Sequence, residues 1–169
     1  DENVPYPVSG VDANGTGEAI YDELEKQNPS ILLGADASRF FGWFVRYATT
    51  FNLNGHTMTT NGYQALINVL DNGNLTITGN GTLDASGAQD NATAVTVSGG
   101  AKLTIEGSVT LDGTPSSGTA SNAAAIQVDE GGTVIMNGGT ICNNVNNGNG
   151  GGVNNAGTFE LKGGTICNN

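Results

Sequence analysis

Charge is scarce in this chain. Only 12% of its 169 residues are charged; five are basic and sixteen acidic, leaving a formal net charge of −11. Neutralising a phosphate backbone takes clustered Lys and Arg, so the composition excludes nucleic acid as a partner and disfavours an anionic membrane surface. Long apolar runs are missing too. The longest cluster, Phe40-Phe41-Gly42-Trp43-Phe44-Val45, falls far short of the roughly 20 residues of a membrane-spanning helix, which excludes insertion of that kind. With one histidine, His56, and two cysteines, no metal-ligand pattern forms and no metal or other cofactor is expected. His56 lies in a turn without a partner at triad spacing, and reads as structural. Proline is sparse, with 4 residues, whereas glycine is abundant, with 27. That balance suits many short strands joined by tight turns rather than a helical bundle.

What the chain does have is a repeat. Five segments share one pattern: Phe51-Asn52-Leu53-Asn54-Gly55, Leu75-Thr76-Ile77-Thr78-Gly79, Leu103-Thr104-Ile105-Glu106-Gly107, Val134-Ile135-Met136-Asn137-Gly138 and Phe159-Glu160-Leu161-Lys162-Gly163. A valine stands six residues before each, at Val45, Val69, Val97, Val128 and Val153, so the units recur at intervals of 24, 28, 31 and 25 residues. Each unit also carries an earlier alternating pair (Trp43/Val45, Ile67/Val69, Val95/Val97, Ile126/Val128, Gly151/Val153). A later Thr-apolar pair follows (Thr57-Met58, Thr82-Leu83, Thr110-Leu111, Thr140-Ile141, Thr165-Ile166). Period-2 alternation sends one side chain inward and the next outward. Three strands per unit predict an all-β fold, a right-handed parallel β-helix of about five coils stacked about 4.8 Å apart. The expected inner columns are the five valines, then Phe51/Leu75/Leu103/Val134/Phe159, then Met58/Leu83/Leu111/Ile141/Ile166. Alternation leaves Ile135 outside.

Residues 1–42 read as an N-terminal cap on a parallel β-helix domain spanning 43–169. Thr16 is a fair N-cap, Glu18 to Asn28 predicts a short helix closed by Pro29, Ile20 and Leu24 share a face, and Asp22 with Lys26 forms an i,i+4 pair. The aromatics of Phe40–Val45 are expected to seal the first coil. A start at Asp1 fits removal of a signal peptide, and equally a trimmed chain. The repeat runs to Asn169, which predicts either further coils or a second chain stacked on the open C-terminal edge. Unit length varies mainly at Ala85–Ala92, Gly113–Ala123 and Asn143–Gly152, all on one edge, the first place to look for a binding surface.

The units Gly138-Gly139-Thr140-Ile141-Cys142-Asn143-Asn144 and Gly163-Gly164-Thr165-Ile166-Cys167-Asn168-Asn169 resemble the GGTISGN-type repeats of large bacterial cell-surface proteins. Leu53-Asn54-Gly55-His56-Thr57-Met58 resembles an opening coil common in the same group. The group is described as adhesin-like or pectate-lyase-like parallel β-helix proteins, and the resemblance covers about residues 43–169. It implies a scaffold fold and a secreted or cell-surface location. Many members carry Ser where this chain has Cys142 and Cys167, so no thiol chemistry carries over.

Chemistry-bearing residues are few. Cys142 and Cys167 hold equivalent positions in adjacent coils, within disulfide reach. Two states are open: a bridge closing a 25-residue loop, worth on the order of 3 kcal/mol and favoured outside the cell, or two reduced thiols. Asp84 and Asp112 share one ladder position. As a pair they suggest Ca²⁺ binding or the two carboxyls of a glycosidase, yet stacking sets them only about 5 Å apart. Thr59 and Cys142 flank them instead of a third carboxylate, which favours solvated turn carboxylates. The arginines, Arg39 and Arg46, lie in or beside the cap, and Lys102 and Lys162 lie on second-strand flanks, so no base accompanies the acids. Tyr63 is the nearest aromatic for a sugar site, and the Asn runs predict amide ladders between coils.

The pattern therefore predicts a non-enzymatic, extracellular or cell-surface scaffold, adhesin-like, presenting its loop edge to a glycan or to a host or bacterial surface protein. One alternative is a phage or virion fibre component that self-associates through its open edge or Ile135. Another is a polysaccharide lyase or glycoside hydrolase using Asp84 and Asp112.

Overall fold

Apolar residues two apart, broken every few positions by Gly or Asn, can bury one side only if the chain keeps turning onto itself. The computed structural model shows that result: a β-solenoid of parallel sheets with one short helix near the N-terminus. It describes residues 7–8, 18–89, 93–113 and 123–169.

With strands numbered in chain order, the first sheet holds β1 (Pro7–Val8), β2 (Ser30–Leu33), β5 (Ala48–Asn52), β8 (Asn74–Thr78), β11 (Lys102–Ile105), β14 (Thr133–Met136) and β17 (Thr158–Leu161). The second holds β4 (Trp43–Val45), β7 (Ile67–Val69), β10 (Val95–Val97), β13 (Ile126–Val128) and β16 (Val153–Asn155). The third holds β3 (Ala37–Ser38), β6 (Thr57–Thr59), β9 (Asn80–Asp84), β12 (Ser108–Asp112), β15 (Thr140–Cys142) and β18 (Thr165–Cys167). Strands therefore recur in sets of three, from β4–β6 to β16–β18. Every pairing is parallel and joins a strand to its counterpart one coil away.

The inner columns form one continuous core. Leu83, Leu103, Ile105, Leu111, Val97, Val128 and Ile141 are all fully buried. The third column is as expected: Met58 stands over Leu83, then Leu111, Ile141 and Ile166. Ile135 points outward, in register with Thr104 and Glu160.

Two registers differ from the sequence expectation. Phe51 pairs with Ile77 rather than Leu75, and the residue beside Leu75 is Thr49, which is buried and donates its hydroxyl to the Tyr47 carbonyl. At the other end Val153 pairs with Ile126, and Asn155, not Val153, stands under Val128. The valine column thus contains Val45, Val69, Val97 and Val128 but not Val153. The cause is turn length. Residues 70–73, 98–101 and 129–132 make four-residue turns closed by Gly73, Ala101 and Gly132 amides bonding back to Leu70, Ser98 and Asp129 carbonyls. Their third residues, Asn72, Gly100 and Gly131, take the left-handed conformation such a turn requires. The first and last coils turn with only residues 46–47 and 156–157 between strands. Dropping two residues slides the strand by two and leaves every inward residue inward.

Parallel pairing also begins earlier than the repeat. β2 lies in register with β5, and β3 with β6, so Ile31 and Leu33 join the core. The helix α1 runs Glu18–Leu24, shorter than expected. Ile20 and Leu24, expected to share a face, are both buried, but Lys26 pairs with Glu23 rather than Asp22. The Thr16 cap, residues 90–92 and residues 114–122 lie outside the described residues. Of the aromatics expected to seal the first coil, Trp43 is buried while Phe40 and Phe41 face outward.

Two outcomes test this packing. Leu103→Ala is expected to cost about 2–5 kcal/mol in urea unfolding, whereas the outward neighbour change Thr104→Ala costs within about 0.5 kcal/mol. Cross-strand nuclear Overhauser contacts are expected to link Phe51 to Ile77 and Val153 to Ile126; contacts to Leu75 and Val128 instead would refute the register.

Candidate functional site

The turns between third-sheet and second-sheet strands form the edge where coil length varies, and three of the four exposed aromatics among the described residues, all but Tyr47, stand on its first coils. Phe40 and Phe41 follow β3, and Tyr63 follows β6 one coil further on. Phe41 is 61% and Tyr63 59% exposed. Phe40 stands edge-on to both, with ring centroids 5.0 Å from Phe41 and 6.1 Å from Tyr63. The two turns meet because Gly62 lacks a side chain: a Cβ there would fall 1.6 Å from the Phe40 carbonyl oxygen. The result is an aromatic shelf standing free of the core. Sequence reasoning found Tyr63 but assigned Phe40 and Phe41 to the seal. The alternating pairs of the repeat start only at Trp43, and that was the available signal.

Beside the shelf runs a polar groove of about 250 Å³ lined by Ser38, Thr59, Thr60, Asn61, Asp84 and Ser86. Asn61 precedes the Gly62-Tyr63 step, so groove and shelf share one turn. Asp84 borders the groove, but its Oδ1 accepts the Ser86 amide at 2.8 Å, capping its own turn. Asp112 is its register partner one coil on and accepts a hydrogen bond from Asn143 Nδ2 at 2.9 Å. The predicted acid ladder is therefore real, with each carboxylate engaged by a local donor. Cations lie elsewhere among the described residues. Lys162 pairs with Glu160 at 2.7 Å and lowers that carboxyl's pKa by hydrogen bond and charge. Arg39 lies over the Tyr21 ring and Arg46 over Phe44. His56, left unpartnered by the sequence, has Nδ1 3.4 Å from Asp36 Oδ1; the same Asp36 oxygen accepts the Thr57 amide. Asp36 lies 20 positions before His56 in the chain, and β3–β6 pairing brings the two together, which no local spacing reveals.

Further along the same outer ladder stand Cys142 and Cys167, register partners and free thiols. The Cys142 pKa is raised by burial first, then by the Asp112 charge and by Cys167. Next to them the expected amide ladder forms. Asn144, buried, donates Nδ2 to Asn169 Oδ1 at 2.8 Å, and Asn169 Nδ2 donates to the Ile141 carbonyl at 3.0 Å. Among the described residues no three His, Cys, Asp or Glu side chains converge as a metal site, and no helix is long and apolar enough to cross a membrane.

The thiol environment gives a pH-linked outcome. Asp112 opposes the thiolate, so Asp112→Asn lowers the Cys142 pKa and enlarges its thiolate fraction below that pKa. Iodoacetamide is expected to label Cys142 a few-fold faster in the variant at neutral pH, with the difference closing at high pH where both thiols ionise. Equal rates at neutral pH would show that Asp112 does not act on the thiol. No family model, no curated protein and no solved structure matches this chain.

Proposed function

We propose that this protein is a non-enzymatic, extracellular scaffold of the adhesin-like kind, binding glycan through its loop edge at the aromatic shelf and the adjoining groove. The observation that carries this reading is the grouping of Phe40, Phe41 and Tyr63, exposed and with Phe40 in ring contact with each of the other two, beside a groove of hydroxyl, amide and carboxylate groups. Sugars present apolar C–H faces bounded by hydroxyls. An aromatic surface covers the former, and Asn61, Ser86 and Thr59 supply hydrogen-bond partners for the latter. The rings are set on turns held by stacked strands, so little of their ordering is left to binding. A net charge of −11 with so few basic residues favours neutral sugars over anionic ones. The non-catalytic side of the proposal rests on the acids: Asp84 and Asp112 each serve a neighbouring turn donor, and the described lysines and arginines stand away from them.

The test is titration of the whole chain with a panel of soluble neutral hexose oligosaccharides, followed by calorimetry and by assay of reducing ends. Binding without release of product is expected. Each ring contact is worth on the order of 1 kcal/mol, so Phe41→Ala with Tyr63→Ala together should weaken binding about thirtyfold without changing the urea midpoint. Binding that survives the double change would remove the shelf from the reading. Release of sugars abolished by Asp84→Asn would replace it with a hydrolase or lyase.

A further inference from the structure

Cys142 and Cys167 close adjacent strands of the third sheet and are direct register partners. They lie in identical heptapeptides, Gly138–Asn144 and Gly163–Asn169. Each is followed by an Asn in the left-handed conformation, Asn143 at φ 58° and Asn168 at φ 53°. Like backbones at like strand positions send both thiols out on the same side of the sheet, and neither is fully buried. The geometry is close to that of a disulfide without matching it. Paired strands repeat about every 4.8 Å, which satisfies the Cα separation of a bridge but leaves the Cβ atoms beyond the usual range of about 3.5–4.5 Å. A bridge must therefore draw the two coils together locally, and a strained bridge is more easily reduced.

We propose that Cys142 and Cys167 are an oxidation site whose product is a strained, readily reversed disulfide fastening two neighbouring coils. Its oxidant is a small or protein disulfide, oxidised glutathione serving as the model. Cys167 lies one coil further than Cys142 from Asp112, so its thiolate attacks first. It forms a mixed disulfide and releases one glutathione thiol. Cys142 then gives up its proton and displaces the second glutathione. Two protein S–H bonds are lost, one protein S–S bond forms, and the oxidant's S–S bond becomes two thiols that take up the two protons. Burial and the Asp112 charge, which hold the Cys142 pKa up, make the second step the slower one. This site is separate from the glycan surface, and its success or failure leaves that reading untouched.

Placement of the basic residues makes the test direct. Lys102 and Lys162 are the only tryptic sites after Arg46, so Cys142 falls in the peptide ending at Lys162 and Cys167 in the peptide beginning at Gly163. The folded chain is incubated with oxidised glutathione at low protein concentration, alkylated, digested without reduction and analysed by mass spectrometry. The expected result is the two peptides joined within one molecule, absent in Cys142→Ser, where Cys167 carries glutathione alone. Excess reduced glutathione under native conditions should reopen the bridge; an unstrained structural disulfide resists that pool. Separate glutathione adducts on the two wild-type cysteines, linkage only between molecules, or a bridge that persists in excess reduced glutathione would each overturn the proposal.

Discussion

Parallel stacking at one fixed interstrand step is the constraint from which the rest of this molecule follows. A strand here has no hairpin partner, so its amides and carbonyls are satisfied only by the same strand one coil above and one below. Side chains then stack like on like: Val69 over Val97 over Val128, and Leu83 over Leu111 over Ile141. Outside, the same rule builds a threonine column, Thr57 to Thr82, Thr110, Thr140 and Thr165. Burial of the inner columns supplies the cohesion, and the ladder of backbone bonds dictates where each column stands. Neither suffices alone, since a greasy ribbon without register would slip and a registered ribbon without a core would open.

That constraint also decided what could be read from the sequence. Alternation with period two reported inside and outside correctly for Leu103, Ile105, Leu111 and their column mates. It is blind to a slide of two residues, because such a slide returns every side chain to its own face. Hence the placements of Phe51 and Val153 were read one rung away from where they lie. The distinguishing signal was in the turns. Leu70–Gly73, Ser98–Ala101 and Asp129–Gly132 each offer Asn or Gly at the third position for a left-handed residue, whereas Arg46-Tyr47 and Ala156-Gly157 are too short to hold that turn. Turn chemistry, not hydrophobic spacing, carries coil registration in this chain.

The N-terminal region shows the opposite weighting. Ser30–Leu33 alternates as any other strand here, with Ile31 and Leu33 inward, but lies outside the repeat and was absorbed into a cap. Composition drew attention to Phe40–Val45, where five of six residues are bulky, but burial there is governed by position. Trp43 and Val45 belong to a strand and point in. Phe40 and Phe41 sit on the approach to it, after the third-sheet strand has ended, where nothing obliges a side chain to face the core. What covers Trp43's end of the solenoid is α1, packed against β4 through a face that includes Ile20 and Leu24.

A solenoid of this kind separates the duties of its residues by edge. Substitutions in the inner columns are felt by two neighbouring coils at once, and most of those positions carry buried apolar side chains. The turns leading out of the third sheet bear no such obligation: coil length varies there while strand register on both sides stays intact. Aromatic rings at Phe40, Phe41 and Tyr63 thus stand on a part of the chain free to change, anchored by parts that are not. The acids make the same point from the other direction. Asp84 and Asp112 are brought together by register alone, and a column forces that closeness whether or not chemistry wants it. Their hydrogen bonds to the Ser86 amide and the Asn143 side chain give each a structural use of its own. In a stacked architecture, then, proximity of like residues is weak support for a shared site. Unlike groups gathered from neighbouring turns, as at the shelf and its groove, are the stronger sign of one.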